Sequence, residues 1–330
     1  MIGIAVIGLG AALAPHARGL AELKDRARVI HAVARNAEAR RLVTEQYGFP
    51  SGADAAAAIA DPRVDAVMIL TPTNAHLELA EAAFAAGKHV LCEKPVEVTI
   101  ERGERLVAAG RHADRRLGIM LQMRFRAASL RLKTLLDAGA LGEIQAATLS
   151  VPWWRAQSYY DQPGRGVKAR DGGGVLMIQA IHALDLFRWF VGIGSVEAAM
   201  TRTTALHRME TEDFAAALVR LGNGAPGTIT ATVAAFPGGP EQIMVIGAKG
   251  IARMDGSNLR ISYLNGTEDV LQDAVGTGSG SGWMAFSHEP HKAVLADFLD
   301  AIEQGRDPAI SGEEALATQR VIDAIIHKGG

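Results

Sequence analysis

An amine, a carboxylate and an imidazole stand out as groups able to do chemistry. Lys94 lies in 90-VLCEKPVEV-98, where a short apolar run, Val90 to Cys92, ends in Glu93, Lys94 and Pro95. A run bounded this way reads as a buried strand. In open α/β sheets, ligands bind at the carboxyl ends of the strands. A lysine there can be partly desolvated, which lowers its pKa and suits it to proton chemistry. The plain alternative is a strand ending in a solvated charge pair. His182 lies in 175-VLMIQAIHALDLFRWFVG-192, which reads as one long helix. Gln179, His182 and Asp185 recur at three-residue spacing, so they fall on neighbouring positions of one face. A lone histidine on such a helix is more often a satisfied core group. Sharing its face with Gln and Asp, behind Gly172, Gly173 and Gly174, makes His182 a candidate proton carrier.

These groups need a scaffold, and the first part of the chain reads as one. An apolar segment, 2-IGIAVIG-8, runs into Gly8-Leu9-Gly10, and Ala11 and Ala12 open an Ala-rich helix reaching about Lys24. Strand, glycine turn and helix form the context a dinucleotide fingerprint requires. The glycines let backbone approach a pyrophosphate, and the helix N-terminus favours its charge. The third glycine of G-x-G-x-x-G is replaced by Leu13; that position serves helix–strand packing, so the phosphate site survives. The alternative is an ordinary tight turn. The next strand, 28-RVIHAVA-34, ends in Arg35 and Asn36. An acid there would bind the ribose 2′-hydroxyl of NAD, whereas an arginine accommodates a 2′-phosphate. NADP is therefore favoured over NAD, against the alternative of a surface arginine. No metal is expected.

Strand 64–70 ends in Thr71-Pro72-Thr73-Asn74-Ala75-His76, a loop followed by a helix. Helices at about 37–47, 53–60 and 99–113 alternate with strands at 88–92 and 117–121. Alternation of this kind means a parallel, doubly wound sheet. The pattern changes near Gln122-Met123-Arg124-Phe125. A helix at 127–138 and a strand at 143–151 precede an irregular stretch, 152–174, rich in large amphipathic side chains: Trp153, Trp154, Tyr159 and Tyr160, with Arg155, Arg165, Lys168 and Arg170. It reads as a pocket wall or as an oligomer contact. The cations would meet a carboxylate or phosphate, or simply water. From 195 to about 264, β-like runs with short turns argue for a mostly antiparallel sheet. A Gly/Ser stretch, 276–282, reads as a flexible loop. Two helices, about 288–304 and 312–328, close the chain, with Ser311 as a cap and Glu313 and Glu314 in the first turn. The expected architecture is α/β: a Rossmann domain over 1–121 and an α+β domain over 122–330 with a large, mostly antiparallel open sheet. The last helices are candidates to pack back on the first domain.

The bulk properties exclude several classes. The 330 residues suffice for about two domains. A net charge of -2 without basic or acidic blocks argues against nucleic acid or an anionic membrane as partner. The single cysteine, Cys92, excludes an intrachain disulfide, and a reducing, cytoplasmic compartment fits. Ala12-Leu13-Ala14 looks like a cleavage site, but no Lys or Arg precedes the apolar run, so no secretory leader is expected. No run reaches the roughly 18 apolar residues of a membrane span.

Glu93-Lys94-Pro95 after a dinucleotide half, with G-G-G…I-H-x-x-D behind it, resembles the Gfo/Idh/MocA family, the relatives of glucose–fructose oxidoreductase and inositol dehydrogenase. The resemblance runs through essentially the whole chain. It implies that Lys94 is the active-site lysine and His182 the catalytic histidine. It places Thr71, Asn74, His76 and Glu93, with Pro72 in the same loop, along the nicotinamide ribose, and Arg124 beside the cofactor. Trp154 and Arg155 match a segment that closes over nicotinamide and substrate, and the open sheet pairs subunits into homodimers or homotetramers. The reaction implied is hydride transfer between a nicotinamide and a secondary alcohol or carbonyl of a sugar, polyol or sugar derivative; beside the resemblance, Tyr160, Arg165, Lys168 and Gln179 are candidate substrate contacts read from the residues themselves. One departure matters. Many polyol members carry Asp four residues before the histidine; here Ile178 stands one helical turn back, so Gln179 or Asp185 is left to orient His182. A dehydrogenase of a non-sugar cyclic diol, and an NADP-binding regulator without turnover, are the rival readings. The intact Lys94 and His182 speak against the regulator.

Overall fold

The computed structural model describes residues 1–272 and 287–330, so the expected loop at 276–282 lies outside the described residues. The chain divides into two compact units. One comprises Met1–Gln122 and His288–Ala317, the other Met123–Ser287 and Thr318–Gly330.

The first unit is built on strands β1 (Ile2–Ile7), β2 (Ala27–Val33), β3 (Ser51–Gly52), β4 (Ala66–Ile69), β5 (His89–Cys92) and β6 (Leu117–Ile119). Their order is β3-β2-β1-β4-β5-β6, every adjacent pair parallel. Reversal of strand order between β1 and β4 makes the crevice in which such sheets bind dinucleotides. All six residues of β1 are buried, as a strand covered on both faces requires. The helices of this part are α1 (Leu13–Glu22), α2 (Ala37–Tyr47), α3 (Ala55–Ala60), α4 (His76–Ala85) and α5 (Ile100–His112). Each of the strands' carboxyl ends is thereby followed by a turn into a helix or loop, which is where the candidate residues stand.

The second unit carries α6 (Ala127–Asp137), β7 (Ile144–Pro152) and two short helices, α7 (Gln157–Tyr160) and α8 (Lys168–Asp171), in the stretch read as irregular. Then come α9 (Val175–Ile178) and α10 (Ile181–Val191), followed by β8 (Ile193–Arg202), β9 (Phe214–Leu221), β10 (Pro226–Thr232), β11 (Gln242–Gly247), β12 (Gly250–Asp255), β13 (Asn258–Tyr263) and β14 (Glu268–Leu271). The sheet order is β14-β13-β12-β11-β7-β10-β9-β8; β7 and β10 are parallel and every other pair antiparallel. Burial alternates along β9, with Ala215, Ala217 and Val219 facing the core. That is the pattern of a sheet packed on one face.

Helix α11 (Glu289–Gln304) belongs to the first unit, where its Phe298 is 1% exposed. Burying that ring contributes roughly 1.5–3 kcal/mol. Ile310 O accepts from Ile119 N at 3.0 Å beside β6. In α12 (Gly312–Gly329), residues through Ala317 belong to the first unit and those from Thr318 onward to the second. Ser311 Oγ accepts from Glu314 N at 3.3 Å, which is the cap its position suggests.

The long helix expected over 175–192 is broken. Gln179 and Ala180 separate α9 from α10, and the segments on either side are bent by 53°. The start of α9 is held by tertiary contacts. Glu212 O accepts from Val175 N at 2.8 Å, and the Glu212 carboxylate accepts from Gly174 N at 2.9 Å and Leu176 N at 3.1 Å. A Cβ on Gly174 would lie 1.8 Å from Glu212 O, so only glycine allows this clamp. Tertiary hydrogen bonds thus fix the start of α9.

Candidate active site

Gly8 has φ +105°, and a Cβ there would stand 2.6 Å from the Leu70 carbonyl carbon. Only glycine permits that approach of the β1 turn to the end of β4. Gly10 is the opposite case: it is exposed, and no heavy atom lies within 4 Å of its would-be Cβ. Leu9, Gly10, Ala11 and Ala12 form the turn, and Leu13 N donates to Gly10 O at 3.1 Å as α1 begins. Leu13 is 6% exposed, in keeping with a packing role at the position of the third glycine. Nearby, the Thr71 hydroxyl is buried without a hydrogen-bond partner among the described residues. An open backbone turn and an orphaned hydroxyl at adjacent strand ends suit a dinucleotide.

At the end of β2, Arg35 is exposed. Asn36 Oδ1 accepts from Glu38 N at 2.9 Å and Ala39 N at 3.2 Å, capping α2, so this oxygen is committed to the helix rather than held ready for the cofactor. Arg40, which sequence reasoning passed over, donates from Nη1 to Ala34 O at 2.7 Å and Arg35 O at 2.9 Å. A second guanidinium is thereby pinned to the strand end that carries Arg35. The signal was its position in the first helical turn after Asn36.

At the end of β5, Glu93 Oε1 lies 2.7 Å from His16 Nε2, and Glu93 Oε2 accepts from Lys94 N at 3.1 Å. Burial opposes the Glu93 charge. The His16 hydrogen bond and the attraction of His16, Lys94 and His291 outweigh it and hold the carboxyl at a pKa of about 2. Glu93 therefore places a fixed negative charge beside Lys94. His16 is 2% exposed on α1, and His291 of α11 stacks edge-on at 5.3 Å. Nothing in the spacing of the sequence pointed to His16. Pro72 and Asn74 are exposed in the loop after β4. His76 is 0% exposed: Nδ1 lies 3.1 Å from Pro95 O and Nε2 3.1 Å from Thr71 O. It lies beneath the surface and ties the Thr71 loop to the turn that bears Lys94. Burial lowers its pKa.

In the second unit, His182 is half-buried near the start of α10. The break at Gln179 means that Ile178 and His182 do not share one regular helix. Asp185 is not the orienting group expected for His182. Arg124 Nε and Nη2 each donate to its carboxylate at 2.6 Å, and Thr318 Oγ1 donates at 2.8 Å. The same contacts fix Arg124. It is 4% exposed, with its guanidinium on Asp185 and 5.3 Å from the Trp189 ring centroid.

The aromatic wall is ordered by specific contacts. Arg165 lies over the Tyr159 ring at 4.4 Å and donates to its hydroxyl, so it is not a solvated cation. Lys168 is exposed on α8. Arg155 is buried with its guanidinium 5.3 Å from the Trp153 ring centroid, and burial lowers its pKa. Trp154 meets Phe236 edge-on at 5.4 Å. Tyr160, Gln179 and Thr211 line a small, water-sized pocket together with Gly166, Gly173 and Gly174. The three polar residues are 8%, 5% and 6% exposed, and the Tyr160 hydroxyl, the Gln179 amide and the Thr211 hydroxyl make no well-formed hydrogen bond among the described residues. The Gln179 side chain lies beside the hydroxyls of Tyr159 and Tyr160, whose pKa values burial pushes up. Buried polar atoms left in this state cost about 1–3 kcal/mol each, so such a cluster is a natural place for a water or a single ligand hydroxyl. Thr211, on the loop before β9, was missed because it is distant in sequence.

Residues 2–121 match the family described as "Oxidoreductase family, NAD-binding Rossmann fold" and residues 129–253 match "GFO/IDH/MocA C-terminal domain". The chain belongs to the Gfo/Idh/MocA oxidoreductases. It is 30% identical over 322 residues to myo-inositol 2-dehydrogenase of Thermotoga maritima, covering 94% of this chain and 91% of that protein. It is 32% identical over 192 residues to 1-carboxy-3-chloro-3,4-dihydroxycyclohexa-1,5-diene dehydrogenase of Comamonas testosteroni, covering 55% of this chain and 46% of that one. Among solved structures, the WlbA dehydrogenase from Bordetella pertussis in complex with NADH and UDP-GlcNAcA superposes with a TM-score of 0.85 at 29% identity, over 99% of this chain and 96% of that one. Family membership makes residues 2–121 an NAD-binding Rossmann domain and the protein a dehydrogenase or reductase.

Proposed function

We propose that this chain interconverts a secondary alcohol and a carbonyl on a sugar, polyol or sugar derivative, with NADP as its preferred cofactor. The observation that carries the reading is the β5 turn: Lys94 follows a half-buried carboxylate fixed by His16, at the ligand-binding edge of a dinucleotide sheet. The substrate class rests on the inositol and UDP-sugar relatives. The polar cluster of Tyr160, Gln179 and Thr211 supports it, because buried hydroxyl and amide groups read ligand hydroxyls.

When bound, the nicotinamide exchanges a hydride with the substrate carbon. In our reading, the Lys94 amine hydrogen-bonds the substrate oxygen and stabilises negative charge that develops on it. His182 takes or gives the hydroxyl proton, a task suited to an imidazole near neutral pH. Gly8 and Gly10 bring backbone to the pyrophosphate, and Arg35, beside the pinned Arg40, meets the 2′-phosphate.

A homo-oligomer through the open sheet is part of the proposal. Met200 and Leu218, 62% and 56% exposed, fall on one face with Ala216 by the pairing of β8 with β9. An apolar face left uncovered in this way favours a second copy.

Lys94→Ala should abolish turnover on a panel of sugars and polyols while leaving NADP binding within about threefold; retained turnover refutes the assignment. The C. testosteroni relative favours a second reading, a cyclic diol dehydrogenase. A panel containing cyclic dihydrodiols, followed at the nicotinamide absorbance, decides between them.

A further inference from the structure

The imidazole beneath the aromatic wall has no role in the chemistry above. His207 is 5% exposed, with its side chain fully covered. Its Nδ1 lies 2.7 Å from Asp213 Oδ2 and its Nε2 lies 2.8 Å from the Arg155 carbonyl oxygen. Both ring nitrogens are thus engaged, and because a carbonyl oxygen only accepts, the Nε2 contact needs a proton on Nε2. Asp213, 0% exposed, is itself held: Thr204 N donates to Oδ1 at 2.8 Å and Thr204 Oγ1 to Oδ2 at 2.6 Å. The His207 ring also meets Tyr160 edge-on at 5.0 Å and Trp154 at 6.1 Å. One side chain therefore contacts the backbone of Arg155 and two of the wall's aromatic rings, one of which carries a hydroxyl lining the polar pocket.

We propose that His207 is a positioning residue. Held by Asp213 and Thr204, it anchors the Arg155 carbonyl and sets where Trp154 and Tyr160 stand, and so fixes the Tyr160 hydroxyl against Gln179 for the substrate. The consequence for substrate rests on the reading of this wall given under Proposed function; the anchor itself does not. The Nε2 contact carries the proposal. A glutamine amide nitrogen reaches the place of Nε2, and an asparagine amide reaches only that of Nδ1.

The test compares His207→Gln with His207→Asn in the full chain. Amide hydrogen exchange of residues 153–160 should accelerate at least tenfold in H207N and stay within threefold of wild type in H207Q, with residues 8–12 unchanged in both. Equal exchange in the two variants overturns the anchor, because a merely structural role would treat them alike. Asp213→Asn keeps the proposal testable if H207N does not fold. In D213N the introduced amide donates to Nδ1 and a neutral ring still gives its Nε2 proton to Arg155, so exchange stays near wild type; a tenfold acceleration there overturns the anchor. On a substrate found in the panel, KM should rise about fivefold in H207N, the scale of one hydrogen bond, with kcat changing less and H207Q restoring KM. Exchange that responds while no KM moves leaves the anchor standing and refutes the wall as the substrate side.

Discussion

Replacing Asp185 by Asn keeps the side chain's shape and removes its charge. The Asp185 and Arg124 side chains are 1% and 5% exposed, and both guanidinium contacts are 2.6 Å. Asn has one acceptor where the carboxylate presents two oxygens, and its amide donors face the guanidinium donors. Removing one partner of a buried ion pair leaves an uncompensated charge and costs about 3–5 kcal/mol. Each kcal/mol moves the melting temperature of a unit this size by about 2–4 °C. D185N should therefore melt roughly 10 °C lower by circular dichroism, with at least about 6 °C expected. The double variant R124M/D185L, which removes both charges and keeps volume, should recover most of that loss. The pH dependence of kcat should be unchanged in the folded fraction, because Asp185 is engaged by Arg124 and Thr318 rather than by His182. A fall of less than about 3 °C refutes the ion-pair argument. A displaced pH profile in D185N refutes the separation of Asp185 from the proton chemistry.

Further outcomes follow from the same contacts. Glu93 has a folded pKa of about 2 against an ordinary 4.5, so its contribution to stability is present above pH 4.5 and fades as pH falls towards 2. The melting-temperature gap between wild type and Glu93→Gln should close across that window, and a gap independent of pH speaks against the His16 pairing. Arg35→Asp should lower the ratio of kcat/KM for NADP to that for NAD at least tenfold; an unchanged ratio removes the 2′-phosphate argument. Tyr160→Phe deletes a buried hydroxyl with no well-formed partner, so the melting temperature should hold or rise slightly, while KM for a polyhydroxyl substrate rises about fivefold. A drop of several degrees would mean that the hydroxyl is structurally bonded after all.

The parallel sheet was legible because its strands are short apolar runs, each followed by punctuation: Gly8 after β1, Arg35 and Asn36 beyond β2, Thr71 and Pro72 after β4, Glu93 after β5. Residue type and order carry such local information. The second unit was legible only as a run of strands. The adjacency of β7 and β10, which are parallel and far apart in sequence, has no local signal. The clamp on the start of α9 was hidden for the same reason, since it comes from Glu212.

By itself the sequence determined the dinucleotide half, the family and the candidates Lys94 and His182, since each is written in short stretches whose geometry follows from backbone preference and side-chain period. Partnership was decided only by the tertiary structure. His16 reaches Glu93 from 77 residues away, Arg124 reaches Asp185 from 61, and His207 reaches Arg155 from 52. Burial forces each polar group to find a partner, and which partner lies within 3 Å is settled by packing, not by position in the chain.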